Sequence, residues 1–298
     1  MSSSHPRCPF AGSYVALPTP FKDGEVDYSA FQGLIAFHAT HATDGIVIAG
    51  TTGEAATLTD SERRTLFDIA VAVARRRFPV IAGVGTNNTR TTIDMARHAA
   101  ASGVDGVLVV TPYYNKPTQR GLVAHFSAVA ASMSLPVILY NVPSRTGVDM
   151  QPETVKELGE RFANIVAVKE ALASAERAKR LVQETNVGVL CGEDAMIADF
   201  VSLGAVGVIG VVNNIVPREV AELVRLARPG GDSRKAAAIV ERIGPLARDL
   251  FIESNPVPVK AALALMHLCR EDVRLPLVTM EPKNREKLVA TLKGCGVV

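Results

Sequence analysis

The chain has 298 residues, long for one ordinary domain and normal for a single α/β barrel with an appendage. Lys plus Arg number 32 against 30 acidic residues, and no basic stripe with interleaved aromatics occurs, so neither a nucleic acid nor an anionic membrane is an expected partner. Hydrophobic residues make up 48%, yet the apolar runs are only about five to eight residues, far short of the roughly 20 a membrane helix needs; the excess points to a barrel interior and to subunit interfaces.

Residues 1–12, "MSSSHPRCPFAG", lack the apolar core of a secretory signal and are broken by Pro6 and Pro9, so they read as a flexible lead-in on a chain that stays in the cytoplasm. Cys8, Cys191, Cys269 and Cys295 are scattered, with no C-x-x-C pair, which suits reduced thiols and gives no support to a metal. From residue 13, short β-rich runs alternate with helical patterns: "SYVALPTP", "DGIVIAGTTGE", "FPVIAGVG", "DGVLVVTPYY", "LPVILYNVPS", "NIVAVKEA", "VGVLCGED" and "VGVIGVVNN". The segments between them are rich in Ala, Leu, Arg and Glu, as in "DSERRTLFDIAVAVARRR", where Leu66, Ile69, Ala70 and Val73 recur at helical spacing. Near-continuous Val/Ile runs are what parallel strands covered on both faces look like. Strand and helix alternating through residues 13–229 predict a (β/α)8 TIM barrel. After residue 229 the strand signal stops, and residues 230–298 predict a C-terminal helical extension with helices near 233–254, 256–268 and 283–293.

Chemistry in such a barrel sits where each apolar strand gives way to a loop. Those positions hold Thr51 and Thr52, Tyr113 and Tyr114, Tyr140 and Arg145, Lys169, and Gly192. Strand alternation puts Ala167, Lys169 and Ala171 on one face and Val168 and Glu170 on the other. A lone lysine at a strand end is more often salt-bridged than catalytic. Here, however, the rim offers no metal cluster, no Ser-His-Asp set and no phosphate loop. Burial favours the neutral amine, the form that attacks a carbonyl, so an activated lysine is the strongest chemistry left. "AGTTGEAATL" can aim backbone N–H and hydroxyl groups at a small carboxylate, or it can be an ordinary turn in which Thr51 or Thr52 caps the next helix. "LYNVPSRTG" offers a phenol and a carboxylate-binding arginine together in a Pro/Gly loop. The six histidines lie away from strand ends and receive no catalytic role, and Cys191 reads as a small buried hydrophobe beside the rim.

Taken in order, "GTTGE", "TPYYNKPTQ", "YNVPSRTG" and "VKEA", with "ESNPVPVKAAL" and "VRLPLV" in the tail, resemble the dihydrodipicolinate synthases, a family of the pyruvate-dependent class I aldolases. The likeness runs from about residue 11 to the C-terminus. It implies a lyase in which Lys169 forms a Schiff base with pyruvate, whose enamine attacks L-aspartate 4-semialdehyde on the path to diaminopimelate and lysine, with no external cofactor. It further implies a relay of Tyr140, Thr51 and Tyr114, the last reaching in from a neighbouring subunit. Thr52 would bind the pyruvate carboxylate, Arg145 that of the semialdehyde, and the main chain of Gly192 and Ile209 would line the site. A homotetramer built from two tight dimers is the implied assembly. Lysine-inhibited relatives carry two histidines and a glutamate at the positions matching Asp60, Arg63 and Thr91, so feedback by lysine is not implied, although Asn87 and Tyr113 are retained. A sibling lyase acting on a sugar acid, of the N-acetylneuraminate or 2-keto-3-deoxygluconate type, would keep Lys169 and Tyr140. A non-catalytic keto-acid-binding barrel is the third reading, against which the lysine, tyrosines, threonine and arginine argue together.

Overall fold

The structure, a computed structural model, describes residues 8–75 and 77–298. Eight parallel strands close into a barrel: Gly12–Ala16, Gly45–Ile48, Val80–Gly83, Gly106–Val110, Val137–Asn141, Ile165–Glu170, Gly188–Cys191 and Gly207–Gly210. The first strand pairs with both the second and the last, which leaves the barrel without an edge strand. All eight predicted runs are therefore strands of one sheet.

Parity divides their side chains between two cores. Val47, Ile81, Leu108, Ile138, Tyr140, Ala167, Leu190 and Ile209 pack inside the barrel, whereas Ile46, Ile48, Val107, Leu139, Val168 and Cys191 face the surrounding helices. Val166 and Ala167 both belong to the inner cluster, because the register with the neighbouring strand shifts between Val137 and Ile138.

The helix expected from "DSERRTLFDIAVAVARRR" runs over Asp60–Ala74, opened by a reciprocal cap in which Thr59 and Glu62 satisfy each other's backbone N–H groups. The cap residue is thus neither Thr51 nor Thr52, which leaves both free for other work. In the tail, helices span Ser233–Asp249, Val257–Leu265 and Pro282–Gly294. Of the lead-in expected at residues 1–12, residues 1–7 lie outside the described residues. Phe10 is buried edge-on against Tyr14, and Gly12 already opens the first strand.

Two small elements depart from the sequence reading. A hairpin of Phe21–Lys22 and Glu25–Val26 follows the first strand, turned by Asp23 and Gly24, both with positive φ. Arg145 stands not in an irregular loop but on a single helical turn, Pro143–Thr146.

Candidate active site

At the C-terminal end of the barrel three adjacent strands set two parallel rows. Tyr140, Lys169 and Leu190 are register partners on the inner face, and Asn141, Glu170 and Cys191 are partners on the outer face. Glu170 is fully buried there, with Arg177 Nε donating to it at 2.7 Å and Asn141 Nδ2 at 3.0 Å. Burial pushes its carboxyl up, opposed chiefly by the charge and hydrogen bond of Arg177. Lys169 and Glu170 form no pair. Cys191 is wholly buried and its thiol pushed up by that burial, so it is not a reactive group on the rim.

Lys169 is 6% exposed and makes no ion pair among the described residues. Its Nζ sits 4.5 Å from the centroid of the Tyr140 ring and opens into a cavity of about 150 Å3. The same cavity is lined by Thr51, Thr52, Arg145, Gly192, Glu193 and Asn255. A Cβ on Gly192 would lie 2.9 Å from Lys169 Cε and 3.0 Å from the Glu170 carbonyl oxygen, so only glycine leaves the lysine stem its place.

Another buried lysine shows what a purely structural one looks like. Lys260, in the helix Val257–Leu265, is fully buried, pairs with Glu54 at 2.6 Å and donates to the Thr19 carbonyl at 2.9 Å. Lys169 has none of that compensation and faces open space instead.

The threonine turn is held from the C-terminal segment. Asn255 Nδ2 donates to Thr52 Oγ1 at 2.9 Å, and the Asn255 carbonyl accepts from Arg145 Nη2 at 3.3 Å, so one residue bridges two walls of the cavity. Asp194, buried behind Glu193, accepts from the N–H groups of Val211 and Val212 and fixes the loop after the last strand, whose Val211 also lines the cavity. Burial pushes its carboxyl up to about 6, against the pull of those two N–H groups. The sequence does not mark Asn255 or Glu193 as site residues. A lone Asn before "PVPV" and a Glu after Gly192 carry no periodic signal; position at a strand end could have found Glu193.

A wider cleft of about 360 Å3 adjoins this cavity and shares Thr51, Tyr140, Arg145 and Asn255 with it. Tyr113 and Arg63 line it as well. Among the described residues no three His, Cys, Asp or Glu side chains converge so as to hold a metal ion.

Residues 9–295 match the Dihydrodipicolinate synthetase family. The chain belongs to this family. It is 49% identical over 292 residues to 4-hydroxy-tetrahydrodipicolinate synthase of Persephonella marina, covering 97% of this chain and 99% of the relative. The crystal structure of dihydrodipicolinate synthase from Aquifex aeolicus superposes with a TM-score of 0.95 at 46% identity, covering 97% of this chain and 99% of that one. The chloride-inhibited dihydrodipicolinate synthase from Acinetobacter baumannii, complexed with pyruvate, does so with a TM-score of 0.94 at 42% identity, again over 97% and 99% of the two chains.

Of the residues the family resemblance assigns, Lys169, Tyr140, Thr51, Thr52, Arg145 and Gly192 gather around the one cavity. Two do not. Ile209 is buried in the inner barrel core below Val211, and Tyr114 is 89% exposed, with its backbone in the left-handed region at φ 72°. At the positions matched to lysine recognition, Arg63 is buried and donates through Nη2 to the Gly83 carbonyl at 2.7 Å.

Proposed function

We infer that this chain is a lyase, a 4-hydroxy-tetrahydrodipicolinate synthase, which condenses pyruvate with L-aspartate 4-semialdehyde in lysine and diaminopimelate biosynthesis. The observation that carries the reading is the uncompensated Lys169 amine facing a small polar cavity, beside Tyr140 and the threonine turn. The Nζ of Lys169 adds to C2 of pyruvate and water leaves, giving an imine. Loss of a methyl proton makes the enamine, whose carbon attacks the aldehyde of the semialdehyde. The amine of the acceptor then displaces Lys169 from C2 and closes the ring, so the two substrates combine with net loss of water.

Tyr140, Thr51 and Tyr114 carry protons in these steps, Thr52 holds the pyruvate carboxylate, and Arg145 holds that of the semialdehyde. Gly192 and Ile209 contribute their main chain to the site wall. The exposure of Tyr114 supports its service to a neighbouring subunit, in a tight dimer that pairs again to a homotetramer. Residues 13–229 form the catalytic barrel and 230–298 the appendage. The four cysteines are unpaired, as thiols are in the cytoplasm where such biosynthetic steps run. No described helix is long and apolar enough to cross a membrane.

Borohydride reduction in the presence of pyruvate, read by mass spectrometry, tests the proposal. An adduct on Lys169 is expected that is lost in Lys169→Ala; its absence from the unaltered chain would overturn the Schiff base. Turnover with sugar aldehydes but not with aspartate semialdehyde would move the assignment to the sibling lyases.

A further inference from the structure

Three charged side chains line the Lys169 cavity: Lys169 itself, Arg145 and Glu193. Glu193 follows Gly192 directly, at the end of the strand Gly188–Cys191, and is half-buried on the cavity wall. Its carboxylate has the N–H of Ala195 beside it and the charge of Lys169 nearby, yet it forms no ion pair among the described residues. Every carboxylate buried elsewhere around the site has its own partners: Glu170 has Arg177, Glu54 has Lys260, and Asp194 has two backbone N–H groups. Among the described residues Glu193 is the carboxylate that lines this cavity, held by the Ala195 N–H and by no ion pair.

When Lys169 is tied up in the neutral enamine that meets the acceptor, Arg145 and Glu193 remain as the two fixed charges on the wall, one of each sign. Aspartate 4-semialdehyde carries its ammonium and carboxylate on the same carbon, so a single molecule presents both signs side by side. We propose that Glu193 is the ammonium subsite for the acceptor aldehyde and makes the enzyme selective for 2-amino-4-oxo acids over aldehydes that lack the amine. The assignment rests on the function proposed above. An aldehyde carrying only a carboxylate engages Arg145 and leaves the partly desolvated Glu193 unpaired, which is what discrimination by a built polar site requires. Sugar-derived aldehydes fail for the same reason.

The test compares Glu193→Gln and Glu193→Asp with the unaltered enzyme on two ligands that differ by the amine alone. The readouts are the KM for aspartate semialdehyde and the inhibition constant of succinate semialdehyde as its competitor. In Glu193→Gln the KM is expected to rise by about tenfold or more while the inhibition constant stays within about twofold. Glu193→Asp should recover part of the loss, and borohydride trapping of pyruvate should be unchanged in both variants. If both ligands weaken together, or if the KM does not move, Glu193 is a structural residue and the proposal falls. If the unaltered enzyme gives no pyruvate adduct, the underlying reading fails first and takes this one with it.

Discussion

Strand parity sends Lys169 into the barrel and Glu170 out of it, so two neighbours in sequence never neutralise each other. The outward carboxylate finds Arg177 and Asn141, and the inward amine finds the Tyr140 ring and space. That space depends on Gly192. In Gly192→Ala the added carbon meets Lys169 Cε at 2.9 Å and Ala171 Cβ and the Glu170 carbonyl at 3.0 Å. The strand cannot yield easily, so the lysine must. Imine formation with pyruvate is expected to slow by about tenfold or more, since a small misplacement of a reacting group is costly. The global stability should fall by only about 1–3 kcal/mol, as for overpacking. Timed borohydride quenching checks it, and an unchanged rate would mean that Lys169 does not rely on this gap.

At the scale of elements, the barrel strands were legible because a parallel strand buried on both faces is a continuous Val/Ile run. The parity of Lys169 followed from the same pattern. The hairpin at Phe21–Val26 is marked in sequence only by Asp23–Gly24, the dipeptide such turns favour, because strands of two residues show no alternation. The short helix carrying Arg145 leaves no periodic pattern for the same reason: four residues hold barely one turn. What local pattern could not reveal is which buried lysine is paired, since Glu54 is 206 residues from Lys260, nor that Asn255 reaches Thr52 across 203 residues.

The Lys260 pair gives the helix Val257–Leu265 a grip on the turn that presents Thr51 and Thr52. Lys260→Met strands the Glu54 carboxylate in the interior and is expected to cost about 3–5 kcal/mol, as loss of one member of a buried pair does. Adding Glu54→Gln should restore much of it. Urea unfolding of the two variants checks this, and equal stability of single and double variants would count against the pair as the cause.

The helix Tyr28–Ala39 carries a pH dependence. His38 is buried against Thr43 and Asn214, and burial, with His41 adding to it, holds its ring down to about 3. His125, buried beside Thr89, is held down to about 4 by burial. Both folded values lie below the unfolded value of about 6.5, so the unfolded chain binds more protons between them. Their contribution is therefore complete above about pH 6.5 and is lost as pH falls toward 4, at about 1.4 kcal/mol per pH unit for each ring. Asp194 acts in the opposite sense: its folded carboxyl at about 6 lies above the unfolded value, so its contribution is complete below about pH 4 and lost as pH rises through 6. Comparing His38→Gln with the unaltered chain cancels the Asp194 part. Between pH 6 and 4.5 the variant's stability should fall less steeply, by about one proton's worth. Parallel curves would show that His38 titrates alike folded and unfolded.

At the scale of the whole molecule, the cavity in one chain lacks the third proton carrier assigned to it. Tyr114 lies in the loop after the strand Gly106–Val110, projects into solvent, and holds a left-handed backbone that a bulky residue adopts only when its surroundings fix it. Exposed apolar side chains such as Leu275 and Val278 also await cover. If a second copy supplies Tyr114 across a two-fold interface, each dimer holds two composite sites, and the two halves of a site can be damaged separately. Lys169→Ala alone and Tyr114→Phe alone should each be nearly inactive. After dissociation and reassembly of an equal mixture, half the dimers are hybrid, and each hybrid holds one site with both residues intact. Activity should therefore return to about a quarter of that of the unaltered enzyme. If each chain used its own Tyr114, every site in the mixture would carry one defect and mixing would restore nothing. A mixture that stays inactive, although exchange of subunits is seen by native mass spectrometry, would place Tyr114 outside the neighbour's site.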